Sequence, residues 1–93
     1  MPKFVIEREI PGIGTWSADR LQKAAEKSRA VLRELGPDIQ WLTSYVTDDR
    51  LYCVYIASGP DLLEEHATRG GFPCNRVSAV REVMDPTTAE ARR

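Results

Sequence analysis

The chain has 93 residues, 42% of them hydrophobic and 29% charged, with a formal net charge of -1. That length supports one domain with a thin core and excludes a second, and the near balance of 13 Lys and Arg against 14 Asp and Glu offers none of the clustered positive charge that a nucleic-acid surface needs. No apolar run approaches the ~20 residues of a membrane span, and the opening MPKFVIEREIPG lacks the apolar stretch of a signal peptide, so the cytoplasm is the expected compartment.

In chain order, KFVIERE at residues 3 to 9 reads as a first strand, stopped by Pro11 and Gly12. The period then changes. Leu21, Ala24, Ala25, Ser28, Val31, Leu32 and Leu35 fall on one face of a helix, with Ser17 suited to the N-cap, Trp16 to a hydrophobic staple on Leu21, and Gly36-Pro37 to the stop. Two β-rich runs around Asp48, Asp49 and Arg50 predict a hairpin over about 39 to 58, closed by a short polar turn. Ser58 and Asp61 form a capping pattern for a second helix with Pro60 in its first turn, and Gly70-Gly71 end it. RVSAVREVM, from residue 76, predicts a fourth strand. Residues 1 to 86 therefore make one domain, and 87 to 93 are expected to be a flexible tail.

The order β-α-β-β-α-β is the ferredoxin-like arrangement, an α+β fold with a four-stranded antiparallel sheet and both helices on one face. Strict alternation would put Ile39, Trp41 and Tyr45 on one face of the second strand and Leu42 and Val46 on the other; in the third, Leu51, Cys53 and Tyr55 oppose Tyr52, Val54 and Ile56. Both faces are apolar, yet two helices cover only one. A homodimer with sheets packed face to face, a dimeric α+β barrel, would hide the other.

The chemistry-bearing residues are few. His66 is the only histidine and shares the inward stripe of the second helix with Leu62, Leu63 and Ala67. A lone histidine there serves either as a hydrogen-bonded structural residue or as a ligand or acid/base, and no local spacing supplies companion ligands for a metal. Cys53, mid-strand, reads as a small buried hydrophobe, whereas Cys74, after Pro73 in a turn, is the more exposed thiol; both are expected to be free. Tyr45, Tyr52 and Tyr55, with Trp41, are suited either to a cleft for a small apolar or aromatic ligand or to the sheet core. Gly12 and Gly14 before a helix lack the G-K-[ST] ending of a phosphate loop, and RLYCVYIAS lacks the glycine and the basic and aromatic pattern of an RNA-recognition strand.

Three stretches, KFVIEREIPG, WLTSYVTDDRLYCVYIASGP and HATRGGFPCNRVSAVREVMDP, together resemble a small bacterial family of unknown-function domains associated with a nickel-responsive protein. The resemblance covers about residues 3 to 86 and implies a dimeric α+β barrel. It also implies nickel or another divalent transition metal held by histidines near the first strand, where this chain instead has Glu7, Arg8 and Glu9; arginine ligates no cation, leaving His66 as the one metal-ligand candidate. The expectation is a non-enzymatic homodimer that binds a small molecule or metal ion between its two sheets, with Trp41, Tyr45, Cys53 and Tyr55 as lining and His66 at the rim. The alternatives are a cofactor-independent enzyme of the monooxygenase or isomerase type, with His66 as acid/base, and a partner-binding module.

Overall fold

The computed structural model of the chain describes residues 1–90. The element order is β1 (Lys3–Glu9), a 3₁₀ turn (Ile13–Thr15), α1 (Ala18–Leu35), β2 (Ile39–Val46), β3 (Arg50–Ala57), α2 (Pro60–Gly70), β4 (Arg76–Ala79) and a closing 3₁₀ turn (Pro86–Glu90). The four strands form one antiparallel sheet in the order β2-β3-β1-β4, the ferredoxin-like arrangement. Among the described residues no helix is long and apolar enough to cross a membrane.

α1 begins as its sequence dictates, with the Ser17 hydroxyl accepting from the Arg20 backbone N–H at 3.1 Å. Trp16, rather than acting through Leu21 alone, lies beneath the Arg20 guanidinium, 3.7 Å from the ring centroid. The expected capping role of Ser58 in α2 is not realised. Gly59 is the N-cap, without a side-chain bond, and Pro60 opens the helix, while the Ser58 N–H is drawn to the Asp38 carbonyl. Gly12 and Gly14 serve the hairpin. Gly12 has a left-handed φ of 77° and its N–H is taken by Asp49 Oδ1, and a Cβ on Gly14 would collide with the backbone of Asp48, whose carbonyl accepts the Gly14 N–H. These amides tie the β2–β3 turn to the β1–α1 loop.

The fourth strand is shorter than expected. It pairs with β1 from Glu7↔Arg76 to Phe4↔Ala79, and the Val80 N–H reaches the Lys3 carbonyl. Beyond Val80 the chain leaves the sheet, with Val83 and Met84 exposed. Of the expected tail, residues 87–90 belong to the closing 3₁₀ turn that begins at Pro86, its start held by Thr87 donating to Asp85; residues 91–93 lie outside the described residues.

Alternation in β2 also breaks. Trp41 pairs with Tyr55 but Thr43 pairs with Val54, so a bulge at Leu42 shifts the register and flips every later side chain to the other face. Ser44 and Val46 thereby join Trp41 beside Cys53 and Leu51, whereas Tyr45 moves to the helix-free face opposite Tyr52. Trp41 spans the bulge by donating its indole N–H to Ser44 Oγ at 2.9 Å.

Between sheet and helices lies one core, built on Phe4, Ile6, Ile39, Tyr55, Ala57 and Leu63. Leu32 and Leu35 of α1 pack against it. Each fully buried Phe, Ile or Leu side chain among them contributes roughly 1.5–3 kcal/mol by leaving water.

Candidate functional site

The helix-facing side of β1 is Phe4, Ile6 and Arg8, each at most 5% exposed. The first two are ordinary core, but the third is a guanidinium at 2% exposure. Arg8 comes to this position through the pleat: it is two residues beyond Ile6 and pairs with Leu51 of β3. Opposite it, α1 presents the small side chains of Ala24, Ala25 and Ser28. Space is left between them.

That space is a cavity of about 330 Å³, within the roughly 300–1,000 Å³ typical of small-ligand sites. Its floor is Trp41, Ser44, Cys53 and Tyr55 of the sheet; its roof is α1; Ile13 and Trp16 close one side, and His66 and Phe72 the other. Val46, Gly71 and Pro73, which also line it, are exposed and mark where it meets solvent.

Four polar side chains stand together on this wall. Arg8 donates to the Pro73 carbonyl and, at 3.3 Å, to the Tyr55 hydroxyl, and its guanidinium carbon lies 5.6 Å from the centroid of the Phe72 ring. His66 Nε2 and Ser28 Oγ are hydrogen-bonded at 3.0 Å, joining α2 to α1. The His66 ring packs against Tyr55 and Phe72, with centroids 5.5 and 5.4 Å away, and its Nδ1 is buried without a partner among the described residues.

The environment sets the protonation states. Burial, helped by the positive charge of Arg8 and opposed by a bond to the Ser28 backbone, lowers the His66 pKa to about 4, so the imidazole is neutral at pH 7. Burial and the neighbouring Cys53 push the Tyr55 hydroxyl up to about 12 against the pull of Arg8. For Arg8, burial works against the charge, but proximity to Tyr55 and Cys53 outweighs it and holds the pKa above the ordinary value. Arg8 is therefore a buried cation beside a neutral imidazole and a protonated phenol at pH 7.

Of the residues singled out from sequence, Trp41, Cys53, Tyr55 and His66 are brought together around the cavity. Tyr45 is not: the bulge carries it to the opposite face, 61% exposed. This cavity lies within the single chain, between sheet and helices. His66 sits at 0% exposure, not at a rim. Cys53 is buried, Cys74 is exposed and both are free, as expected. Arg8, Ser28 and Phe72 were missed as site residues. For Arg8 the signal was present in the alternation Phe4-Ile6-Arg8.

Metal binding does not fit this donor set. Among the described residues no three His, Cys, Asp or Glu side chains lie together in a geometry that would hold an ion. The unpartnered Nδ1 of His66 is a single donor whose ring already feels the positive charge of Arg8, which opposes a second cation.

Comparison with known proteins places this geometry in a family. Residues 4–80 match the family model described as nickel responsive protein SCO4226-like. Among solved structures, the chain is similar to that titled as the crystal structure of SCO4226 from Streptomyces coelicolor A3(2), with a TM-score of 0.74 at 14% identity, over 88% of this chain and 99% of that one. No curated protein matches it significantly. The chain belongs to the SCO4226-like family, and the structural likeness, at that identity, is one of fold.

Proposed function

We propose that this protein is a binding protein for a small, largely apolar organic molecule, which each protomer takes into the cavity between its sheet and α1. The observation that carries this reading is the cavity itself: about 330 Å³ of space, walled by Ile13, Trp16, Trp41 and Phe72, in a chain too small to leave such a volume empty without losing packing energy. A few convergent polar groups on an otherwise apolar wall are what orient a ligand in such sites. The family description names a response to nickel; a response does not require the responding chain to ligate the ion, and the donor set here supports an organic occupant.

The functional unit is a homodimer formed through the helix-free face. Tyr45 is exposed there beside Tyr52, Val54 and Ile56, and Glu7 lies between Arg50 and Arg76 at 3.7 and 4.0 Å. An apolar strip with charges of both signs at its edge is self-complementary under a two-fold axis. Cavity and seam occupy opposite faces, so they are separable.

The test uses the neutral fluorophore N-phenyl-1-naphthylamine with native mass spectrometry. The wild type is expected to be a dimer that enhances the probe's emission; Val54→Lys is expected to be monomeric with uptake retained, and Ala25→Leu dimeric with uptake reduced. Absence of uptake by the wild type overturns the binding reading. A monomeric wild type overturns the assembly.

A further inference from the structure

We propose that the occupant of the cavity is a monoanion, a small organic acid whose carboxylate is held by Arg8 and whose apolar remainder fills the space under α1. This rests on the binding reading above and goes beyond it by naming the ligand's chemistry.

The argument starts from charge. A guanidinium at 2% exposure is expensive to hold out of water unless an anion or a full set of acceptors compensates it. Arg8 has neither. Among the described residues it takes part in no ion pair. Its sequence neighbours cannot help: Glu7 points to the other side of the sheet, toward Arg50 and Arg76, and the Glu9 side chain lies on that side too, by alternation. A guanidinium has five N–H donors, and the two hydrogen bonds of Arg8 go to neutral oxygens, the Pro73 carbonyl and the Tyr55 hydroxyl. Donors remain, and the cavity is beside them.

The same wall indicates which anion. Among the described residues Arg8 is the only formally charged one lining the cavity, since His66 is neutral at pH 7. One positive charge balances one negative charge, which suits a carboxylate better than a dianionic phosphate. The planar fork of arginine also matches the two oxygens of a carboxylate. Tyr55 adds a hydroxyl beside the guanidinium: its oxygen accepts from Arg8, it lies within hydrogen-bonding reach of Ser28, and with its pKa at about 12 it keeps its proton at neutral pH. The rest of the wall, including Ile13, Trp16, Leu21 and Trp41, offers an aromatic or aliphatic tail no competing charge.

The test is calorimetric titration of the wild-type protein with matched pairs of acid and primary amide, 3-phenylpropanoate against 3-phenylpropanamide and hexanoate against hexanamide, with phenyl phosphate as the dianionic comparison. Each acid is expected to bind about tenfold or more tightly than its amide, and more tightly than phenyl phosphate. Arg8→Met is expected to abolish the preference of each acid over its amide, and Arg8→Lys to retain part of it. Should Arg8→Met fail to fold, the wild-type pairs still decide. Equal affinity for acid and amide, with the neutral probe bound, overturns the anion assignment and leaves the binding reading standing. Tighter binding of phenyl phosphate overturns the monoanion. Loss of all binding, the neutral probe included, overturns both readings.

Discussion

The two ends of the layer between sheet and helices are built from the same elements and behave oppositely. At one end Phe4, Ile39, Ala57 and Leu63 meet Leu32 and Leu35 and fill the space; at the other Arg8, Ser44 and Cys53 face Ala24, Ala25 and Ser28 across a cavity. α1 runs antiparallel to β1, so its large residues lie over the apolar end of the strand and its small ones over the charged end. The difference shows that the cavity is specified by residue size along one helix and polarity along one strand. It is not a packing accident.

The largest way to break this contrast is at the filled end. Leu63→Ala, at a site with 0% exposure, is expected to lose about 2–5 kcal/mol, read as a lower urea midpoint at unchanged slope. The polar end responds to acid. His66 in the unfolded chain takes up a proton near pH 6.5, whereas in the folded chain it does so only at about pH 4. Its stabilising contribution is thus complete above pH 6.5 and is lost as the pH falls to about 4, roughly 3 kcal/mol in all. Denaturation midpoints at pH 7, 5.5 and 4 check this, and His66→Phe is expected to flatten that part of the profile. The boundary between the two ends passes through Phe72, against which a Cβ on buried Gly70 would collide. Gly70→Ala is expected to displace the ring and cost about 1–3 kcal/mol, with altered ¹H shifts at His66 and Tyr55. The smallest effect belongs to the open end: Ala25→Leu adds atoms where there is room and is expected to change stability between zero and a gain of about 1 kcal/mol, while reducing probe uptake. A loss as large as that of Leu63→Ala would show that the two ends are packed alike.

Much of this was legible before the fold was known, for reasons that can be named. The helix stripe from Leu21 to Leu35 contains both the small and the large residues that shape the layer, and Ser17, Gly36 and Gly71 mark ends because capping is local chemistry. His66, Cys53, Tyr55 and Trp41 were identifiable as candidates from residue type and face. Tyr45 was misplaced because a period of two has no means of announcing an extra residue; the bulge at Leu42 exists only in the pairing of β2 with β3. Arg8 was passed over because, beside Glu7 and Glu9, it reads as the solvated end of a strand. Its alternation with Phe4 and Ile6 pointed inward, but a charge in that register is credible as a site only when the layer above it is seen to be open.

Local rules, then, were sufficient for the element order, the helix ends and the ferredoxin-like arrangement, because each depends on short-range backbone preferences and on the spacing of apolar residues. Where β4 stops, which face Tyr45 takes, and that a guanidinium lies beside a cavity with no carboxylate among the described residues to meet it are different in kind. Each depends on what stands opposite in space: the length of β1, the register of β3, the small side chains of α1. Such partners are remote in the chain, and only their packing in three dimensions brings them into contact.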